Sequence, residues 1–404
     1  MIVTDNKDYY DEEHYYAQDK QLPLVDNAAG FGRSVSPAGF QTLDYSDPVK
    51  DVPVQQKPRS LLSRVLGRDD GKYPLEQRIE NKRRGIGRQR RPYLVWALTA
   101  VMISVFIYES VVNWQAQRTP FSFKPTVNPM LGPSSSALIH VGARFVPCMK
   151  PIEGVPLNFA LPCLNNTANP PTIACSLSDV CGFGGFKGDE PDQWFRFFTP
   201  IFLHAGLIHL ALNMIAHFVI SAHAERELGS VAFFILYFSA GVFGNVLGAN
   251  FAILGSASTG ASGAIFGTVA VEWIDLAFHW KIVERPVRRL VFLIIDIVIG
   301  VAIGYIPYVD NFAHLGGLFM GLFVATIFFP VISRTKRHKI ITLIVRIAAI
   351  PIPIILFVVL TRNFYTGNPY SACSFCRYLS CFPTSSNNYC HDSGLIINGT
   401  QLNT

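Results

Sequence analysis

The feature that most limits how this chain can fold is a series of long apolar segments. Crossing the ~30 Å hydrocarbon core of a bilayer takes about 20 residues of α-helix. Only 15% of the 404 residues are charged, whereas a soluble domain carries about 25%, and the mean hydropathy is +0.29. The sequence therefore predicts an all-α polytopic membrane protein with seven spans, at about 93–113, 199–220, 231–251, 261–280, 290–306, 312–330 and 340–360.

Basic residues beside the spans predict the orientation, because Lys and Arg next to a span stay on the cytosolic side. A basic cluster precedes the first span, so the N-terminus is expected in the cytosol and, after seven crossings, the C-terminus is expected in the lumen or outside the cell. The turns at 281–289 and 334–339 then also face the cytosol, and both are basic. These residues are Arg83, Arg84, Arg88, Arg90, Arg91, Lys281, Arg285, Arg288, Arg289, Arg334, Lys336, Arg337 and Lys339.

Three regions follow from this topology. Residues 1–92 are rich in Pro, Asp, Gln and Tyr with few apolar runs, which predicts a disordered cytosolic tail. Its basic second half could hold anionic lipid, but a signal that orients the first span is the simpler reading. Residues 93–360 form the seven-span domain, with a long lumenal loop at 114–198, and 361–404 form a cysteine-containing lumenal tail.

The cysteines and glycosylation motifs all fall on the predicted lumenal side. An even number of cysteines there favours disulfides, although the sequence leaves their pairing open. Cys373-x-x-Cys376 could instead be half of a metal site, but no matching His pattern accompanies it, so neither a metal nor a cofactor is expected. The acceptors Asn165 and Asn398 are the predicted glycosylation sites. The cysteines are Cys148, Cys163, Cys175, Cys181, Cys373, Cys376, Cys381 and Cys390.

Polar residues inside the spans are the candidates for chemistry, because each is unfavourable in lipid without a partner or a water-filled cavity. Ser262 begins an apolar helix between two glycines, which let a second backbone approach closely, and His314 lies in another apolar segment. Taken singly, each has a structural explanation, since a serine commonly bonds a carbonyl of its own helix. Glu272, Asp275 and Asp296 lie nearer the cytosolic side and are expected to bond between helices.

Together with two residues of the second span, this pair makes a candidate catalytic site. His209 and Asn213 are four residues apart and share a helix face, and both are predicted at the depth of Ser262 and His314. Acyl transfer needs a nucleophile, a base and hydrogen-bond donors for the oxyanion. Ser262 would be the nucleophile and His314 the base, and His209, Asn213 and the Ser262 backbone N–H would be the donors.

These residues occur in a recognisable order. The chain contains Gln193-Trp194-Phe195-Arg196, Phe202-Leu203-His204-Ala205-Gly206, His209 with Asn213, Gly260-Ala261-Ser262-Gly263 and Ala313-His314-Leu315-Gly316-Gly317. This set resembles a rhomboid protease over about residues 190–330. The resemblance implies a six-helix bundle, to which this chain adds a seventh span, and a Ser/His dyad without an acidic third member.

The resemblance also implies supporting residues, a substrate class and a location. Gly260, His204 and Arg196 belong to the matching motifs, and Phe266 stands where bacterial relatives often place a tyrosine that stacks on the histidine. The implied substrates are single-pass transmembrane proteins, which enter sideways beside the fifth span and are cut near the lumenal end of their helix. The seventh span and the long tail are similar to the secretory-pathway subgroup, of Golgi, plasma or endosomal and vacuolar membranes.

Other functions fit the sequence less well. A membrane metalloprotease would need a His-Glu-x-x-His helix and an aspartyl protease two facing Asp motifs, which the sequence lacks. A channel or transporter would show paired charges or broken helices in repeated halves. The main alternative is an inactive relative that binds membrane clients and directs their trafficking or degradation. The lipid bilayer is an expected partner, nucleic acid is not, and the sequence leaves the oligomeric state open.

Overall fold

The computed structural model describes residues 74–367, 373, 375–381, 395–397 and 400–401. Residues 1–73 of the predicted cytosolic tail lie outside the described residues, as do Cys390 and Asn398 of the predicted lumenal tail. The described part is mostly helical. Its helices are α1 (Leu75–Arg83), α2 (Tyr93–Gln117), α3 (Ser135–His140), α4 (Leu177–Cys181), α5 (Leu207–Leu228), α6 (Ser230–Phe251), α7 (Ser262–His279), α8 (Pro286–Ile303), α9 (Asn311–Phe328), α10 (Lys336–Ala349), α11 (Pro351–Thr366) and α12 (Arg377–Ser380).

Each of the seven predicted spans contains a helix. Within the described residues, five helical stretches are long and apolar enough to cross a membrane, namely α2, α5, α6, α9 and the pair α10–α11 taken together. The helices α7 and α8, 18 residues each, also lie at predicted spans but carry more polar residues. The second span begins at Leu207 rather than 199, because residues Trp194–Phe197 and Thr199–Ile201 form short 3₁₀ turns ahead of it. α5 contains a π-helical turn at His217–Ser221.

The centre of the bundle is built on small residues that bring α6, α7 and α9 into backbone contact. A methyl group at Gly263 of α7 would lie 3.0 Å from the carbonyl oxygen of Ala313 in α9, and one at Gly244 of α6 would lie 2.5 Å from the same oxygen. One at Gly321 would lie 2.6 Å from the carbonyl oxygen of Gly267. Glycine at these positions is therefore what allows the three helices to pack this closely.

The segment between α2 and α5 forms a structured cap at the end of the bundle where α7 begins. It contains α3, α4 and a two-residue antiparallel ladder of β1 (Leu161–Pro162) with β2 (Ala174–Cys175). A second short ladder joins β3 (Ile396–Ile397) to β4 (Thr400–Gln401). Cysteines lie in close pairs: the Cα atoms of Cys148 and Cys181 are 5.7 Å apart, those of Cys163 and Cys175 5.0 Å, and those of Cys373 and Cys376 5.4 Å.

At the opposite end of the bundle, a buried carboxylate caps the first long helix. Glu225 accepts hydrogen bonds from the backbone N–H groups of Leu94 (3.0 Å) and Val95 (2.8 Å) at the start of α2. It also accepts the hydroxyl of Ser230, at 2.5 Å. The first N–H groups of a helix have no partner within the helix, and a negative charge there is stabilising. Glu225 thus ties α2 to the turn between α5 and α6.

Candidate active site

Ser262 is the first residue of α7, and three backbone hydrogen bonds fix the segment that leads to it. The N–H of Ser258 donates to the carbonyl of Arg144 (3.0 Å), that of Thr259 to Tyr308 (3.2 Å) and that of Gly260 to Pro200 (2.8 Å). The approach to Ser262 is therefore held by three separate segments.

Gly260 is required at its position on two grounds. Its φ of +128° lies in a region that residues with a Cβ rarely adopt. A methyl group there would lie 2.9 Å from Nε2 of His209 and 3.5 Å from Oγ of Ser262. The position of Gly260 therefore lies between the His209 ring and the Ser262 hydroxyl, which brings two predicted site residues together.

His314 lies on α9 with one ring nitrogen bonded and the other without a partner. Its Nδ1 lies 3.0 Å from the carbonyl oxygen of Gly300 in α8. Because a carbonyl only accepts, Nδ1 carries the proton in this bond, and Nε2 keeps its lone pair. Nε2 is buried and has no hydrogen-bond partner among the described residues, Ser262 included. The ring is thus held in the tautomer that a general base needs.

Phe266, which the resemblance places among the supporting residues, stacks on the His314 ring. The ring centroids are 4.5 Å apart and the planes are 9° from parallel. Phe266 lies one turn after Ser262 on α7, and Gly300 leaves room for it, since a methyl group there would lie 2.9 Å from Phe266 Cε1. Ser262 precedes Gly263, and His314 follows Ala313. The backbone contact between Gly263 and Ala313 therefore lies beside both residues of the candidate dyad.

His209 and Asn213 lie one turn apart on α5, 3% and 5% exposed. The Nδ1 atom of His209 accepts the N–H of Ala205 at 3.4 Å, so its Nε2, the atom nearer Gly260, is the one that carries a proton. The amide nitrogen of Asn213 is buried and has no partner among the described residues. The Asn213 amide therefore offers an unused N–H, and His209 carries an N–H on the nitrogen nearer Gly260, which are the donors that an oxyanion site requires.

His204 is fully buried behind His209. The two rings meet edge to face with centroids 5.5 Å apart, and neither ring nitrogen of His204 has a hydrogen-bond partner among the described residues. The backbone N–H of His204 donates to the carboxylate of Glu109, at 3.1 Å, on α2. His204 thus supports the His209 ring and the turn before α5.

Arg196 lies in the cap, where it holds several loops together. Its guanidinium donates to the side chain of Gln193 (2.7 Å) and to the carbonyls of Ile139 (2.8 Å), Ala143 (2.6 Å) and Cys181 (2.5 Å). Burial lowers the pKa of Arg196 to about 9, which still leaves it charged at neutral pH. Its support for the site is therefore indirect, because Ala143 precedes Arg144, which bonds Ser258 in the segment that leads to Ser262.

Sequence reasoning missed four residues that support the site. Gly300 supplies the carbonyl that orients His314, and nothing in the sequence distinguishes it from other helix glycines. Arg144 and Asp310, 2% and 4% exposed, form a buried ion pair at the start of α9. Glu109 is fully buried, and here a signal existed, because an acidic residue inside an apolar span needs a partner.

Comparison with known proteins gives the family of this chain. The family model of the Rhomboid domain matches residues 191–331. RHOMBOID-like protein 2 of Arabidopsis thaliana is 32% identical over 281 residues, which are 66% of this chain and 75% of that protein. The chain belongs to the rhomboid family. The matched rhomboid region contains every residue of the candidate dyad and oxyanion site.

Other rhomboid relatives carry contrasting names. Rhomboid-type serine protease 2 of Emericella nidulans is 38% identical over 267 residues, 63% of this chain and 53% of that protein, so the chain spans about half of its length. Inactive rhomboid protein 1 of Homo sapiens is 31% identical over 215 residues, 51% of this chain and 24% of that protein. Membership of the family thus leaves activity to be argued from the site.

Proposed function

We propose that this rhomboid protein is an intramembrane serine endopeptidase that cleaves single-pass transmembrane proteins through a Ser262/His314 dyad. The observation that carries the proposal is the state of His314, whose Nδ1 is bonded to the Gly300 carbonyl while Nε2 has no partner in the part of the chain that the structure describes. His204 and His217 have no partner on either ring nitrogen among the described residues, whereas His314 has one nitrogen bonded and the other unpaired, as a general base requires.

In the proposed reaction, the Ser262 hydroxyl attacks the scissile carbonyl and His314 Nε2 takes its proton. The oxyanion accepts hydrogen bonds from His209 Nε2, the Asn213 amide and the backbone N–H of Ser262, and loss of one such donor typically lowers kcat by about 10²–10³. His314 then protonates the leaving amine, and water hydrolyses the acyl-enzyme by the same steps. Catalytic hydrogen bonds often tighten only with substrate bound, which accommodates the absence of a Ser262–His314 bond in this structure.

The proposed substrate reaches the site beside α8. Leu293 and Gly300 are the buried residues of this 18-residue helix, so it packs more loosely than α6 or α9. A transmembrane helix hides its carbonyls in its own hydrogen bonds, so a suitable substrate unwinds near the lumenal face through Gly, Pro or other poor helix formers. Cleavage there would release its ectodomain.

The proposed setting is the secretory pathway, with the cap in the lumen. The cap contains two of the cysteine pairs, the third follows α11, and their Cα separations of 5.0 to 5.7 Å fit disulfides. We therefore propose the disulfides Cys148–Cys181, Cys163–Cys175 and Cys373–Cys376. Asn165 is exposed on the cap, as a glycan requires.

The decisive experiment compares purified protein with Ser262→Ala and His314→Ala on a panel of single-pass substrates, each also probed with a serine-reactive fluorophosphonate. Ser104→Ala is the matched control, because Ser104 is exposed on α2 and bonds the Ala100 carbonyl of its own helix, at 2.8 Å. We expect cleavage and labelling by the native chain and the control, and neither by the two dyad variants.

The rival function is that of an inactive rhomboid that binds membrane clients, which the names of some relatives suggest. It predicts no cleavage by the native chain and no fluorophosphonate labelling of Ser262. That combined result would overturn the protease proposal. Labelling without cleavage would support the dyad and point to a missing substrate.

A further inference from the structure

A basic cavity lies at the end of α7 opposite Ser262. It encloses about 450 Å³ between the end of α1, the turn from α7 to α8 and the first turns of α8. Five basic side chains line it, Lys82, Arg83, Arg285, Arg288 and Arg289, with one carboxylate, Glu284. None of these residues belongs to the candidate active site.

Two of the basic residues are neutralised and form the wall. Lys82 Nζ lies 2.9 Å from Glu227 and 3.1 Å from Asp275. Arg289 pairs with Glu272, and its other terminal nitrogen lies 2.9 Å from Asp275. Burial alone would lower the pKa of Lys82, but Asp275 and Glu227 outweigh it and raise that pKa. Glu272 and Asp275 thus bond between helices, as the sequence predicted.

The other three arginines are available to a ligand. Arg83, Arg285 and Arg288 are exposed, and no side-chain hydrogen bond or ion pair joins any of them to another described residue. Guanidinium groups bind phosphate oxygens through paired hydrogen bonds. The positive end of α8, which begins with Pro286, adds a favourable field for an anion.

The cavity also opens onto an apolar surface that fits a lipid. Phe292 lines it and is 57% exposed, and Val287 and Val291 beside it on α8 are 64% and 49% exposed. A lipid could lay its acyl chains along this face of α8 while its headgroup enters among the arginines. A soluble phosphate compound has no acyl chains to bury against this apolar surface.

We propose that this cavity binds the phosphorylated headgroup of an anionic membrane lipid, with a phosphate monoester held by Arg83, Arg285 and Arg288. The site ties the start of α8 to α1 and to the end of α7. It is independent of whether the chain is a protease.

The test measures binding of a fluorescent short-chain phosphatidylinositol 4-phosphate to the purified full chain by anisotropy. The variant Arg83→Gln/Arg285→Gln/Arg288→Gln is expected to bind at least tenfold more weakly. The control Arg334→Gln/Lys336→Gln/Arg337→Gln removes the same charge from exposed residues just before α10 and in its first turn, at the same end of the bundle, and is expected within twofold of the native chain. Glu284→Gln should bind more tightly, which a folding defect could not produce.

Competitors identify the source of the ligand. Unlabelled phosphatidylinositol 4-phosphate should displace the probe at concentrations at which phosphatidylserine and inositol 1,4-bisphosphate do not. Displacement by the bisphosphate at equal concentration would keep the phosphate chemistry but overturn the lipid. Equal losses in the two triple variants, or equal competition by phosphatidylserine, would reduce the effect to diffuse charge attraction and overturn the proposal.

Discussion

At the scale of residues, the candidate site is marked by the convergence of unused hydrogen-bonding atoms. A buried polar atom without a partner is unfavourable by about 1–3 kcal/mol, yet within residues 74–367 and the other described positions neither His314 Nε2 nor the Asn213 amide nitrogen has one. Unpaired atoms alone do not define a site, because both ring nitrogens of His217 also lack a partner among the described residues, and its ring packs 5.5 Å from that of Tyr237. What distinguishes His314 is a partner that fixes its tautomer.

Gly300 offers a residue-scale test of whether the stacking of Phe266 on His314 matters for activity. In Gly300→Ala the new methyl group collides with the Phe266 ring, which must move off His314, so we expect kcat for substrate cleavage to fall at least tenfold. Gly188→Ala is the control, since a methyl group there meets nothing within 4 Å. The same collision should lower the midpoint of thermal unfolding of Gly300→Ala, and adding Phe266→Leu should restore it. Full activity in Gly300→Ala would show that the stacked geometry is not needed.

At the scale of elements, one ion pair joins the cap to the start of α9. Arg144 exchanges two backbone hydrogen bonds with Ser258 (2.9 and 3.0 Å), and its guanidinium pairs with Asp310. Asp310 in turn caps α9 by accepting the N–H of Phe312 at 2.9 Å, and its carbonyl accepts the N–H of His314 at 3.1 Å. The pair thereby links the segment leading to Ser262 with the helix that carries His314.

Asp310→Asn is expected to destabilise this junction strongly. Removing one partner of a buried ion pair leaves an uncompensated charge and lowers stability by about 3–5 kcal/mol, so both the melting midpoint in detergent and cleavage should drop. Glu80→Gln is the control, because it breaks a pair with Arg84 whose side chains are 49% and 68% exposed, and such pairs contribute about 0–1 kcal/mol.

The double variant Arg144→Gln/Asp310→Asn separates charge from packing. It removes both charges, so it should be more stable than Asp310→Asn alone. If the single and double variants have the same melting midpoint, Asp310 acts as a helix cap and not through Arg144.

At the scale of the whole molecule, apolar exposure and polar placement both indicate a membrane protein with two unlike ends. Large apolar side chains stand exposed on the outer helices, for example Ile107 (59%), Val298 (62%) and Ile354 (62%). Soluble proteins rarely expose apolar patches of such extent. The cysteine pairs and Ser262 lie at one end of α7, and the paired acids and arginines lie at the other.

Topology makes a prediction about these two ends. Asn165→Gln should remove one glycan, seen as a mobility shift equal to that of partial enzymatic deglycosylation, because Asn165 is exposed on the proposed lumenal cap. A cysteine introduced at Lys281, exposed in the turn between α7 and α8, should react with an impermeant maleimide only after cells are permeabilised. Labelling of this cysteine in intact cells would reverse the proposed orientation.

The sequence by itself determined the helical membrane class and where the long apolar helices lie, and it singled out candidate residues for acyl transfer. It could do so because bilayer thickness sets the length of apolar segments and because the polar residues inside such segments stand out. Boundaries were less accurate where turns precede a helix, as at Leu207, which begins the second span eight residues later than predicted.

Only the tertiary structure decided how those residues meet. The tautomer of His314 depends on the backbone carbonyl of Gly300. Every residue has such a carbonyl, so no pattern of side chains in the sequence reveals this contact. The ion pair of Arg144 with Asp310 joins positions 166 residues apart, and the basic cavity gathers α1 and α8 from distant parts of the chain. Such contacts depend on which helices pack together, and that follows from the shape of the whole bundle rather than from any local stretch of sequence.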